Sequence, residues 1–152
     1  SDEALSSIKS EANQMKKAAD AVTALDYDKT SGDAVYSKVK DLVNTYNALA
    51  KQTGKSDLVS ISQSRTWMVN DTKAHEAQWN KIGITMEDDQ TLTIDEKKFK
   101  EASTSDIKNF LSGASGYASR LSTKANGFYQ LASNQLTLNS GTSLYNKYGL
   151  LG

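Results

Sequence analysis

Two apolar stripes in the first fifty residues constrain the fold more than any other feature of this chain. The first stripe consists of Leu5, Ile8, Ala12, Met15, Ala19 and Val22, and the second of Val35, Val39, Leu42, Tyr46 and Leu49. Their members are spaced alternately three and four residues apart, which places each set on one face of a helix. Stripes this narrow bury little apolar surface per helix, so they favour an elongated antiparallel bundle.

The remainder of the chain also has helical patterns, with less regular stripes. Gly54 is predicted to end the second helix in a left-handed conformation, and Ser56 or Asp57 to cap a third helix that is kinked near Ser64. A last helix is expected to fray near Leu138. Residues 1–138 are therefore predicted to form a single helical domain, and residues 139–152 a loosely held tail.

Residues 82–94 interrupt these helical patterns with a β-hairpin signal. Apolar and polar residues alternate from Ile82 to Met86 and again at Leu92 and Ile94, and an acidic segment separates the two runs where a turn is needed. Asp95 is suited to cap the next helix. The predicted fold class is mainly α, an elongated antiparallel bundle with one small hairpin at about 82–94.

Composition excludes several classes of function. The 18 basic and 18 acidic residues cancel, so no net charge attracts the chain to nucleic acid or to an anionic membrane. No apolar run approaches the roughly 20 residues of a membrane span. The start at Ser1 is acidic, so no cleaved signal peptide is expected. The absence of cysteine and the presence of one histidine exclude thiolate and multi-histidine metal sites, and no cofactor is expected.

Three polar clusters have features of functional sites, but a structural interpretation is favoured for each of them. Asp26, Asp28 and Thr30 have the spacing that begins a calcium loop, but position twelve is Ser37, so a helix–helix turn is favoured. The carboxylates Glu87–Asp89 are expected to be solvated turn residues, because a catalytic pair needs a pocket. Gly113–Gly116 is favoured as a joint between helices, since a phosphate loop would continue with Lys and Ser or Thr.

The aromatic residues of the third helix are also more typical of packing than of chemistry. His75 lies four residues before Trp79 on an apolar stripe, and it is interpreted as a packed or half-exposed histidine instead of a general base. Trp67 and Trp79 are twelve residues apart, too far to form one aromatic platform on a helix. Each is expected to anchor a core layer, and either becomes an interface candidate if it is exposed.

Four segments together resemble the carboxy-terminal helical region of the flagellar filament cap protein, a family of hook-associated proteins. The helix Val39–Leu49 is similar to that family's helix with a Tyr-Asn-x-Leu ending. Residues 82–102, with Ile82-Gly83-Ile84 and Thr91–Asp95, resemble its hairpin signature, although the family's usual turn glycine is replaced by Asp89-Gln90. Asp106–Gly113 and Gly116–Leu121 resemble the two pieces that follow, in the same order.

The resemblance implies a structural protein of the bacterial flagellum that is not an enzyme. Subunits of this family leave through the flagellar export channel and assemble outside the cell with flagellin or other axial proteins. Self-association and partner contacts through exposed apolar residues are expected, and the candidate contact residues are Leu5, Met15, Tyr46 and Phe128. The alternative is a secreted or surface helical adaptor unrelated to flagella, and a third hypothesis, an enzyme, requires a buried polar cluster in a pocket.

Overall fold

The computed structural model describes residues 1–147 and 149, with side chains described as far as residue 142 in the last helix. These residues form seven helices and one two-stranded hairpin. In chain order they are α1 (Asp2–Thr23), α2 (Gly32–Gly54), α3 (Val59–Ala74), α4 (Glu76–Lys81), β1 (Ile84–Met86), β2 (Leu92–Ile94), α5 (Glu96–Glu101), α6 (Thr104–Leu111) and α7 (Tyr117–Lys147). The predicted fold class is confirmed.

The long helices run antiparallel. Two hydrogen bonds near opposite ends of α1 fix its direction against α7: the Ser122 hydroxyl donates to Asp20 at 2.6 Å, and the Asn139 amide donates to Asp2 at 2.9 Å. On the other side of the bundle, α3 packs between α2 and α7. With 22 residues α1 extends about 33 Å, and α7 is longer, which makes the bundle elongated.

The two apolar stripes form the centre of the core, as their spacing predicts. All six members of the first stripe and all five of the second are buried. Burying each large apolar side chain stabilises the fold by about 1.5–3 kcal/mol relative to exposure. The hairpin adds Ile84 and Leu92 to the same cluster, and α7 adds Phe128.

The structure confirms the predicted cap at Asp95, has a second cap at Ser103 and corrects the start of α3. Asp95 Oδ1 accepts from the Lys98 amide at 2.9 Å, and Ser103 Oγ accepts from the Asp106 amide at 3.3 Å. Neither Ser56 nor Asp57 caps α3, whose first turn follows Leu58 without a side-chain hydrogen bond. The Ser56 hydroxyl instead accepts from the Leu58 amide at 3.2 Å, which makes a tight local turn before the helix.

Two predicted features of the helices are displaced. The break in the third helix is at His75, where the backbone leaves helical geometry, and not near Ser64. Gly54 is not left-handed, because it lies in the last turn of α2 and Lys55 continues with right-handed angles. A Cβ on Gly54 would lie 3.2 Å from Nε of Arg65, so its small size leaves room for the guanidinium.

The last helix does not end near Leu138 but continues to Lys147. Asn139 helps to hold this segment. Its Oδ1 accepts a hydrogen bond from Gln135 Nε2 at 2.9 Å, and its Nδ2 donates to Asp2 Oδ1. The remainder of the predicted tail, at 148 and 150–152, lies outside the described residues.

Candidate functional site

The four candidate contact residues are all in the core. Leu5 is 5% exposed, and Met15, Tyr46 and Phe128 are 0% exposed. The expectation that they are exposed is wrong, because α1, α2 and α7 pack against one another and cover the narrow stripes completely. In the folded chain these four side chains are not available for contact with a partner.

Tyr46 instead belongs to a buried chain of hydroxyl groups that connects three helices. Its hydroxyl lies 2.9 Å from Thr72 Oγ1, which lies 3.2 Å from the Tyr117 hydroxyl. Thr72 also donates to the Met68 carbonyl at 3.0 Å. Burial raises the pKa of Tyr46 to about 12, and burial also raises the pKa of Tyr117. The hydroxyl groups of this hydrogen-bonded series are therefore protonated at neutral pH, and the series connects α2, α3 and α7.

His75 occupies the joint between α3 and α4, next to Tyr117. Its ring centroid lies 5.1 Å from that of Tyr117 in an edge-on arrangement. Its Nδ1 lies 2.8 Å from the carbonyl oxygen of Asp71, and the carboxylate of Asp71 accepts from Arg120 at 2.6 Å. Trp79 and Phe110 complete the aromatic cluster, with centroids 4.9 Å apart at 90°. His75 is packed and half-buried, as its position on the stripe predicted.

The acidic residues of the hairpin turn act as hydrogen-bond acceptors. Asp89 Oδ1 accepts from both the amide and the hydroxyl of Thr91, at 3.0 Å and 2.6 Å. The hydrogen bond from the Thr91 hydroxyl is the main cause of the lowered pKa of Asp89. Glu87 accepts from the Thr93 hydroxyl at 2.7 Å. Gln90, where the family's turn glycine is missing, has a φ of 70°, in the left-handed region that favours glycine.

Two side chains from the helices hold the hairpin in place. The side-chain amide of Asn47 makes two hydrogen bonds with the main chain of Leu92. Nδ2 donates to the carbonyl oxygen at 2.8 Å, and Oδ1 accepts from the N–H at 2.7 Å. Arg65 donates to the Ala50 carbonyl at 2.8 Å and to Gln90 Oε1 at 2.9 Å. Sequence reasoning missed both residues, because a lone Asn or Arg in a helix carries no signal of a contact 25 or 45 residues away.

The region that resembles the start of a calcium loop is a hydrogen-bonded turn. Asp26 Oδ1 accepts from the amides of Asp28 and Lys29 at 3.1 Å and 3.3 Å, so its oxygen is directed at the backbone. Within the described part of the chain, no group of three or more histidine, aspartate or glutamate side chains is placed to hold a metal ion.

The segment Gly113–Gly116 joins α6 to α7, as predicted. Gly113 has a φ of 85°. A Cβ on Gly116 would lie 2.1 Å from the carbonyl oxygen of Ser112. Backbone geometry alone therefore accounts for glycine at both positions, and a role in phosphate binding is not needed to explain them.

Among the residues whose side chains are described, Trp67 is a large aromatic residue on the surface. It is 49% exposed, whereas Trp79 is 3% exposed. The Lys124 ammonium lies 3.7 Å from the centroid of the Trp67 ring, and desolvation lowers the pKa of Lys124. An exposed tryptophan held by a cation is a rigid apolar anchor of the kind enriched in interface hot spots.

A groove of about 260 Å³ lies between the α3–α4 joint and the hairpin. Trp79, Met86 and Leu92 provide its apolar surface. The polar residues around it are Thr72, Lys73, Glu76, Asn80, Glu87 and Asp88.

The chain matches no protein-family model, and neither a curated protein nor a solved structure matches it. None of the helices in the described residues is both long enough and apolar enough to cross a membrane.

Proposed function

We propose that this chain is a structural, non-enzymatic component of the bacterial flagellum, similar to the filament cap. It works by packing its helices and by assembling with flagellin or other axial subunits outside the cell. The observation that carries the proposal is that the four segments of the resemblance contact one another in the fold, although Val39–Leu49 lies far from the other three in the sequence.

Each segment reaches another through a specific contact. Asn47, in the Tyr-Asn segment of α2, holds Leu92 of the hairpin signature. Tyr46 of the same segment connects through Thr72 to Tyr117, in the segment that opens α7. Phe110, in the segment of α6, stacks on Tyr117 with a centroid distance of 5.3 Å. These segments therefore form one physical unit, as the pieces of a single signature would.

Trp67 and Lys124 supply the surface for partner contacts in this proposal, in place of the four buried residues. The side chains are already fixed against each other, so binding costs little additional conformational entropy. The same exposed tryptophan favours the alternative function, a helical adaptor that binds a partner outside the flagellum. The identity of the partner separates the two functions.

A binding experiment with purified flagellin tests the proposal. We expect the immobilised chain to retain flagellin, and Trp67→Ala to weaken the binding about tenfold or more, as for a hot-spot side chain. Val59→Ala is the matched control, because Val59 is also on α3 and is 69% exposed but lies outside the Trp67–Lys124 pair.

The outcomes distinguish the functions. No binding to flagellin or to other flagellar axial proteins would contradict the proposal. Binding of a non-flagellar surface protein that depends on Trp67 would favour the adaptor. Solution mass measured over a range of concentrations reports self-association in the same preparations.

A further inference from the structure

The two outer edges of the hairpin differ in their hydrogen bonding. The Asp95 N–H donates to the Gly83 carbonyl and the Glu87 N–H to the Thr91 carbonyl, both at 2.8 Å. Bonded pairs alternate along an antiparallel ladder, so the facing residues Met86 and Leu92 are a non-bonded pair. Their main-chain N–H and C=O groups point away from the partner strand, towards the two outer edges.

Only one of these edges is closed by the protein itself. The outward N–H and C=O of Leu92 are both bound by the Asn47 amide. The hydrogen bonds formed among the described residues include none to the main-chain N–H or C=O of Met86. A strand edge with free donors and acceptors is a template for another chain segment.

Met86, whose outward main-chain groups form this free edge, also lines the groove described above. The groove has an apolar surface from Trp79 and Leu92, which are each 3% exposed. Around it stand the carboxylates of Glu76, Glu87 and Asp88 and a single ammonium, Lys73. A bound segment would therefore meet an apolar floor beside an excess of negative charge.

We propose that this groove binds an extended, basic peptide segment of a partner protein. The main chain of the segment adds to β1 by pairing with the N–H and C=O of Met86, as the Asn47 amide pairs with Leu92. An apolar side chain packs on Trp79 and Leu92, and lysine or arginine side chains face the carboxylates. Strand addition of this kind takes affinity from main-chain hydrogen bonds and specificity from the side-chain pockets. The inference is independent of the flagellar proposal, since its binding surface, the Met86 edge and the groove, includes neither Trp67 nor Lys124.

The probe that tests the site is a capped pentapeptide of alternating lysine and valine, added to the ¹⁵N-labelled full chain. We expect saturable shifts of the Met86 amide and of the Trp79 indole signal, with the α1 amides unchanged. Two control peptides isolate the two interactions. A glutamate–valine peptide has the wrong charge, and a lysine–valine peptide that is N-methylated at every residue has no residue N–H left to donate main-chain hydrogen bonds, so each is expected to bind at least tenfold more weakly.

Two protein variants at Met86 test the hydrogen bonds by changing the group that the protein contributes. Met86→Pro removes the outward N–H and leaves the ladder bonds, because proline is accepted where a strand N–H faces away from the sheet. We expect it to weaken peptide binding about tenfold, whereas Met86→Val keeps the N–H and changes binding less than twofold. Unchanged amide exchange at Leu92 verifies that the hairpin is intact in both variants.

Three results would overturn the proposal. The first is no shift of the Met86 amide at millimolar lysine–valine peptide. The second is equal peptide binding by the Pro and Val variants. The third is a concentration-dependent shift of Met86 without any peptide, which would identify a second copy of this chain as the occupant.

Discussion

The bundle side of the molecule and the hairpin side are held together by different interactions. On the bundle side, α1, α2 and α7 bury continuous apolar stripes along their lengths. On the hairpin side, helices of six and eight residues and strands of three each bury only a few apolar side chains in the same core, and directional contacts such as those of Asn47 and Arg65 add to them. Stability is therefore distributed over many similar contacts on one side and depends on a few contacts for each short element on the other.

This difference corresponds to the two functions proposed for the chain, which are packing as a structural bundle and binding of a peptide segment. Distributed packing gives a rigid rod whose global unfolding is cooperative. Concentrated contacts allow a short element to open locally without loss of the rod. The exposed groove and the free edge of β1 both lie on the side that depends on few contacts.

The largest effect is expected from Phe128→Ala on the bundle side. Phe128 is fully buried, so the substitution leaves a cavity and should lower the free energy of unfolding by about 3–5 kcal/mol. Leu138→Ala on the same helix is the control, since Leu138 is 64% exposed and its loss should cost less than about 0.5 kcal/mol. Urea denaturation followed by circular dichroism measures both. Similar losses would contradict the assignment of α7's buried face.

The next largest effect is expected from Asn47→Ala on the hairpin side. It leaves two main-chain groups of a buried residue, Leu92, without partners, which should cost about 2–3 kcal/mol. Hydrogen exchange should accelerate at the Glu87 and Asp95 amides more than in α1. Asn44→Ala, at an exposed asparagine of the same helix, is the control and should change the exchange little. Equal acceleration in α1 would show that the hairpin does not open separately.

The same difference explains what the sequence could predict. Periodicity reports faces of helices and strands, so it identified the stripes of α1 and α2, the hairpin and its cap at Asp95. It could not locate contacts between distant elements, such as those of Asn47, and it assigned Trp67 and Trp79 equal roles although only Trp79 is buried.

The errors in the candidate site have a physical cause. The partner-contact prediction assumed that narrow stripes would remain partly uncovered, but three antiparallel helices cover them completely. The end of α7 was placed near Leu138 because glycine and serine follow, whereas side-chain hydrogen bonds at Asn139 support the next turns. Tertiary context thus outweighed local propensity at both places.

Raising the pH tests the buried chain of hydroxyl groups, which connects α2, α3 and α7. The pKa of Tyr46 is raised from 10.0 to about 12 in the fold, so the unfolded state loses this proton first. The stabilising contribution is complete below pH 10 and is lost as the pH rises towards 12, by about 2 kcal/mol from Tyr46. The raised pKa of Tyr117 acts in the same direction.

Tyr46→Phe should flatten this alkaline loss, and its stability at neutral pH should fall by about 1 kcal/mol, since Thr72 loses one partner. Denaturant unfolding at a series of pH values from 8 to 12 measures the slopes. An unchanged slope in the variant would show that Tyr46 is accessible to hydroxide without unfolding.

The smallest effect compares two glycines inside α7. Gly127 and Gly141 are both helical, and a Cβ on either meets nothing within 4 Å. Alanine should therefore be favoured at each by about 0.5–1 kcal/mol in helix propensity. Gly127 lies in the part of α7 that runs along α1, between Ser122 and Asn139, so Gly127→Ala should raise the free energy of global unfolding by about that amount.

Gly141 lies beyond Asn139, which contacts Asp2 at the first turn of α1. Stabilising the helix there affects a segment that can open without the rest of the bundle. Gly141→Ala should therefore increase the circular dichroism at 222 nm while it changes the global unfolding free energy by no more than about 0.3 kcal/mol. If both variants raise the global stability equally, the end of α7 unfolds together with the bundle. The part of α7 that unfolds together with the bundle would then extend past residue 141, instead of ending beside the first turn of α1.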